Sequence, residues 1–590
     1  MPGPRTNGGP QYGSDLIVDL LKAYDIEYAA LNPGATFRGL HDSIVNYGGN
    51  MRPEIIQCCH EEIAVAVAHG YGKAKGRPMA AIVHDIVGLL HAAMAVYIAW
   101  LDRSPVLVLG GTGPMAVEQR RPWIDWIHTA LVQGQAVRDY VKWDDQPASL
   151  PGIVESFLRA HRTAMMEPRG PVYLCFDAAL QEQAVDGVIP LPEIGRFAPP
   201  APIQADPRAL DVAAQWLVEA RRPVAVAEFV GRTARGVAGL IELADLLDLP
   251  VLDLGSRFNF PNTHPLDLTG AEGDLLPEAD LVLALDVFDL QKALGTTDRT
   301  ARRGRPSVQE GTKIIHISLN DLAPRSWAQD YGRLQAVDLS IAGDTAVALR
   351  ALAERCRPLV EKDGSHAAGR RERRAALENA RGRLRDRWGE AAERDRDARP
   401  VSWSRLAADL GAVVKDEDWV LVNRTLRGWT RRLWEWKHPY QYVGALGGGS
   451  VGHGIGQAMG AALAHRGTGR LCIDLQPDGD FLFTSGGLWT AAHYRIPLLI
   501  VMFNNRSYFN DEDHQILMAR ARGRPVENAH IGLRIDDPPV DFAGLARSYG
   551  VHGEGPIEDP ADLRPALERA VRHVKREHKP ALVDVITQSR

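Results

Sequence analysis

The stretch "CIDLQPDGDFLFTSGGLWTAAHYRIPLLIVMFNN", residues 472–505, decides the architecture. "RLCIDL" and "PLLIVMF" are continuous apolar runs of strand length, and "GGLWTAAHYR" between them has helical spacing and the length of a crossover. A strand–helix–strand unit of that size forces parallel pairing. Asp478 and Asn505 then fall at the carboxyl ends of neighbouring strands, the edge at which open α/β sheets bind ligands. A carboxylate and a carboxamide offer hard oxygen ligands without piling up negative charge. That suits Mg2+ or Ca2+, with phosphate oxygens and water completing the shell. The helix start near residues 485–487 would add amide donors for a phosphate. On spacing alone, an ordinary strand–helix–strand unit with polar turns fits equally well.

Working outward, the same alternation fills all 590 residues, which predicts an α/β fold of three doubly wound parallel-sheet domains. The expected bounds are an N-terminal domain over 1–190, a middle Rossmann-like domain over 205–356 and a C-terminal domain over 400–590. A Pro-rich stretch (189–207) and a charged helical linker (357–399), read as a surface helix, separate them. The net charge of −6 carries no nucleic-acid footprint, and the basic residues near 370–385 are interleaved with acids as on a solvated helix. Five scattered cysteines without a CxxC pair point to a reducing compartment, the cytoplasm, and away from a structural zinc site. The opening "MPGPRTNGGPQYGSD" lacks the apolar core of a signal peptide. Residues 79–101 are long enough to cross a bilayer. They carry His84, Asp85 and His91, so a buried strand–loop–helix is the better reading and no membrane partner is expected.

"PDGD…FNN", with 505 − 478 = 27, is similar to the fingerprint of thiamine-diphosphate (ThDP) enzymes, Gly-Asp-Gly followed at about this distance by Asn-Asn. The resemblance implies Mg2+ held by Asp478, Asn505 and the carbonyl of Ser507, with Gly479 allowing close backbone approach. Pro477 replaces a glycine at a cost in flexibility, and Asp480 adds negative charge where the diphosphate would sit. A second motif, "CCHEEIAVAVAHGYGKAKG", resembles the helix whose glutamate activates the cofactor's pyrimidine ring, and its spacing selects Glu61 over Glu62. Helix geometry agrees: Glu61 shares a face with Ala64, Val65 and Ala68, whose apolar character should raise its pKa, while Glu62 shares one with His69 and Lys73. "GALGGGSVGHGIGQAMGAALA" (444–464) resembles the family's glycine-rich cofactor stretch, implying cofactor contacts from Gly449 and a wedge beneath the cofactor at Val451. "LVNRTLRGW" offers Asn423 and Thr425 for the diphosphate.

The motif order resembles the group of acetolactate synthase, benzoylformate decarboxylase and pyruvate oxidase, of which this chain looks like a divergent member. "NPGAT" resembles a turn of benzoylformate decarboxylase with Ala35 where an active-site serine stands, and His84 and His264 fall where that enzyme has catalytic histidines. His514 is a candidate cap on the substrate pocket; His91, His453 and His493 read as structural. The resemblance implies a lyase or carboligase acting on a 2-oxo acid or aldehyde, working as a homodimer or homotetramer. ThDP would lie between the N-terminal domain of one chain and the C-terminal domain of another. A 2-hydroxyacyl-CoA lyase and a non-catalytic nucleotide- or flavin-binding subunit are the alternatives, and FAD or ADP in the middle domain stays open.

Overall fold

A computed structural model describes residues 9–322, 329–362, 367–445 and 447–589. Residues 1–8 of the polar opening lie outside the described residues. The alternation produces three open parallel sheets. In the first, the spatial order is Glu54–Gln57, Tyr28–Leu31, Met79–Val83, Val106–Thr112, Val172–Asp177, Asp144–Asp145. The second runs Leu339–Ala342, Lys313–Ser318, Leu281–Leu285, Pro223–Ala227, Val251–Asp253. The third runs Trp419–Asn423, Leu471–Pro477, Leu498–Asn504, Ala581–Ile586, His552–Ile557. The two runs of the opening stretch are neighbours, with Cys472 opposite Leu498. Between them lie two helices, not one: Asp478–Phe483 precedes the expected Gly487–His493.

The helix Glu61–Lys75 shows how local sequence sets the frame. The ring Nδ1 of His60 accepts the Glu62 amide at 3.2 Å, Glu61 and Glu62 complement the dipole in the first turn, and Lys73 and Lys75 do so in the last. Gly76 ends it at φ 70°, a left-handed cap that favours glycine. This helix packs on Gly454–Ala464 almost backbone to backbone. A Cβ on Gly70 would lie 2.0 Å from the Gln457 carbonyl oxygen, and one on Gly460 1.9 Å from that of Val67. The contact draws the first and third sheets into one apolar core, while the second sheet keeps its own.

Two linker readings are corrected. The Pro-rich stretch is pinned to the first core by Ile189, Leu191, Ile194 and Phe197. The charged linker forms the helix Ala367–Arg394, but it is docked: Leu377 and Leu384 are buried in the middle core. Arg373 donates to the carbonyls of Ala220, Arg221 and Leu247 at the ends of two helices, and Arg381 to that of Asn262. Residues 79–101 form a buried strand and the helix Ile86–Leu101, and among the described residues no helix is long and apolar enough to cross a membrane.

Candidate active site

Asp478 opens a helix directly after the strand Leu471–Pro477, and Asn505 follows the strand Leu498–Asn504. The Ser507 amide donates to both, at 3.2 Å to Asp478 Oδ2 and 2.9 Å to Asn505 Oδ1, and so draws the two side-chain oxygens together. Burial pushes the Asp478 carboxyl up to about 6, against the amides of Gly479 and Ser507, which favour its charge. Asp478, Gly479, Asp480, Asn505 and Ser507 line a cavity of ≈ 520 Å³ together with Thr425, Gly449 and Val451. Every residue lining it lies at or beyond Trp403. The donor set, hard oxygens at the carboxyl edge of a parallel sheet, fits an Mg2+-held diphosphate.

A second cluster sits at the same edge of the first sheet. Glu61 is buried; its Oε1 accepts from Asn32 Nδ2 at 3.0 Å, and its Oε2 lies 3.1 Å from His91 Nδ1. His84 follows the strand Met79–Val83, with Nδ1 2.9 Å from Thr36 Oγ1 and Nε2 3.2 Å from His128 Nδ1. Burial, then the His128 ring, lowers the pKa of His84 and favours the neutral imidazole. Asp85 is fully buried, its Oδ2 has no partner among the described residues, and burial pushes its carboxyl up to about 7. A Cβ on Gly88 would lie 3.1 Å from His84 Cβ and 3.2 Å from Glu61 Oε1, so carboxylate and imidazole share one wall. The "NPGAT" turn lies flush on the same ring: a Cβ on Gly34 would sit 2.6 Å from His84 Cβ.

Several expectations need correction. His264 does not join this cluster. Its Nε2 lies 3.4 Å from Asp245, its Nδ1 accepts the Leu266 amide at 3.2 Å, and both ring nitrogens are thereby engaged in the middle domain. His91, read as structural, touches Glu61, stacks on His60 and leaves 51% of its side chain exposed, so it belongs to the cluster. Glu61 meets donors at its carboxylate, not the expected apolar sleeve. Asn423 is buried beneath the cavity, donating to Asp474 at 2.9 Å and Gln476 at 3.2 Å. The Asp480 charge is already engaged: Oδ1 accepts the Gly452 amide at 2.9 Å, Oδ2 accepts Gln476 Nε2 at 2.5 Å, and Arg424 stands 3.7 Å away. Pro477 sits in extended backbone at φ −79°, which proline adopts freely. The close approach at Gly479 is by the Tyr508 ring, 2.6 Å from where a Cβ would stand. Residues 485–487 do not line the cavity; Gly486 packs on Cys59. His514 lines a separate basic cavity of ≈ 860 Å³ with Lys292, Arg299, Arg302, Arg303 and Arg333.

Residues 11–134 match the N-terminal TPP binding domain of thiamine pyrophosphate enzymes, and residues 425–585 match their C-terminal TPP binding domain. The chain belongs to the thiamine pyrophosphate enzymes. It is 27% identical to a benzoylformate decarboxylase of Pseudomonas aeruginosa, over 90% of this chain and 91% of the relative. A probable acetolactate synthase large subunit of Methanocaldococcus jannaschii is 25% identical, over 97% of this chain and 91% of its own. The crystal structure of a benzoylformate decarboxylase from Polynucleobacter necessarius shares the fold, with a TM-score of 0.76 at 18% identity over 98% of this chain and 99% of that one. This thiamine pyrophosphate enzyme is therefore a lyase or a transferase by kinship.

Proposed function

We propose that the enzyme uses ThDP and Mg2+ to break or make a C–C bond beside the carbonyl of a 2-oxo acid, by decarboxylation, acyloin formation or both. The observation that carries this reading is the convergence of Asp478 and Asn505 on the Ser507 amide at the carboxyl edge of the third sheet. Asp478, Asn505 and the Ser507 carbonyl would hold the metal, and Thr425, Gly449, Val451 and Gly479 would cradle the cofactor. Once bound, ThDP supplies the carbanion and the electron sink for the bond beside the carbonyl. Glu61, kept in place by Asn32 and His91, would hold or release a proton at its carboxylate for the ring of the bound cofactor. His84, neutral and backed by His128, would carry protons at its ring nitrogen for the reaction.

Glu61 is absent from the wall of the 520 Å³ cavity, while the Asp480 charge reaches its neighbour Glu62. Half-exposed His91 touches Glu61, and Leu90 beside it in the chain is exposed. This geometry supports a site completed by a second copy of the chain, hence a homodimer or a homotetramer. All five cysteines are free, which supports the cytoplasm. A second reading, 2-hydroxyacyl-CoA lyase, draws support from the basic cavity around Arg302, Arg303 and Arg333, whose guanidinium groups suit the phosphates of a CoA thioester. A panel of 2-oxo acids, aldehydes and acyl-CoA thioesters with ThDP and Mg2+, read by product mass, tests both. Turnover of a 2-oxo acid supports the first reading, cleavage of a thioester supports the second, and protein that neither binds ThDP nor turns over any member refutes both.

A further inference from the structure

We propose that the buried Lys73–Asp102 pair, together with His69 and His453, is a positioning device that locks the glycine loop of the cofactor site in place before the cofactor arrives. The inference rests on the ThDP reading above and adds residues that reading does not use.

The Asp102 carboxylate is the hub. Its Oδ2 accepts from Lys73 Nζ at 2.5 Å and lies 3.0 Å from His69 Nε2; its Oδ1 accepts the Gly447 amide at 2.8 Å. Lys73 Nζ also donates to the carbonyls of Ala445, at 2.5 Å, and Gly444, at 3.4 Å. His69 Nδ1 lies 2.8 Å from His453 Nε2, at the start of the helix Gly454–Ala464. From the middle domain, Arg257 Nη2 donates to the Asp102 carbonyl at 2.5 Å. The side chain of Lys73 has no exposed surface, and His69 and His453 have none either. Burial works against the Asp102 charge, but Lys73 and then His69 outweigh it and hold the carboxyl well below its ordinary range.

The backbone these groups hold is the segment that delivers Gly449 and Val451 to the wall beside Asp478. Gly444, Gly448 and Gly449 take φ of 110°, 72° and 60°, a path that glycine alone follows without strain. A run so rich in glycine has much conformational entropy to lose, and ordering it at the moment of binding would subtract from cofactor affinity. Buried charges are costly unless fully paired, and a lysine and an aspartate here satisfy three polar groups of the loop backbone. A Cβ on Gly447 would stand 2.6 Å from Asp102 Oδ1, so carboxylate and loop fit without spare room.

The deciding experiment compares wild type with Lys73→Met/Asp102→Asn, a pair that removes both charges together and keeps an acceptor for His69. ThDP affinity is read by titration calorimetry at fixed Mg2+, and the thermal midpoint of the cofactor-free protein alongside it. The lock predicts affinity weakened about tenfold or more, with the midpoint within about 3 °C of wild type. Lys73→Arg, which keeps the charge and the carbonyl contacts, recovers affinity. A double variant that binds within about threefold of wild type overturns the inference alone. Wild type that binds no ThDP overturns the proposed function and the inference with it. Amide exchange on wild type needs no variant: the lock predicts that the Gly447 amide is protected without cofactor, and free exchange there until ThDP binds contradicts it.

Discussion

Replacing Glu62 by glutamine should stabilise the protein above neutral pH and leave it unchanged in mild acid. Glu62 lies on the helix face turned toward the third sheet, and burial, then the Asp480 charge, push its carboxyl from 4.5 up to about 7. In that window the folded chain holds a proton that the unfolded chain has released. Stability therefore falls as pH rises from about 4.5 to about 7 and is flat beyond. A gap of about 2.5 pH units at about 1.36 kcal/mol each sets a ceiling of about 3 kcal/mol. The side chain keeps part of its solvent, so about 1–2 kcal/mol is the working figure. Glutamine has no proton to release and removes the penalty. The first thermal unfolding transition, followed by tryptophan fluorescence at half-unit steps from pH 4.5 to 8, should coincide for the two proteins at the acid end. By pH 8 the variant should melt about 2–6 °C higher. A difference that stays constant across the range would refute the assignment of a raised carboxyl at Glu62.

Asp478→Ala should weaken Mg2+ binding about tenfold or more, seen as a shifted Mg2+ dependence of ThDP binding, and an unchanged dependence would remove Asp478 from the metal site. His264→Gln should leave turnover within about twofold, because both ring nitrogens already serve the middle domain; a large loss would restore the role its motif implied. Gly460→Ala places a methyl group 1.9 Å from the Val67 carbonyl and should cost about 3 kcal/mol or more in thermal stability, whereas a neutral result would mean that the two helices can separate.

The parts of the fold that could be read from sequence are those with continuous apolar runs. The central strands of all three sheets carry such runs because both of their faces are buried. The outermost strands Glu54–Gln57, Asp144–Asp145 and Leu339–Ala342 are short and partly exposed, and they left no pattern to find. The charged linker reads as a helix but hides its docking face: Leu377 and Leu384, two turns apart, face the middle core amid a run of arginines. Asp478, Asn505 and Glu61 stood out because motif and spacing are local. Their partners did not, because Asn32 and His91 reach Glu61 from separate elements and His128 follows the four-residue helix Ile124–Ile127. His264 shows the complementary case: a local motif suggests chemistry, while within the chain its ring stands 3.4 Å from Asp245, on another element.

The central claim is that the Glu61 carboxylate activates bound ThDP for chemistry at a carbonyl. Glu61→Gln keeps the size of the side chain and an acceptor for Asn32 while removing its acid–base function. Turnover of a 2-oxo acid at saturating ThDP and Mg2+, measured together with ThDP affinity, tests the claim directly. Turnover should fall about a hundredfold or more with cofactor still bound. Unchanged turnover in the variant would contradict it.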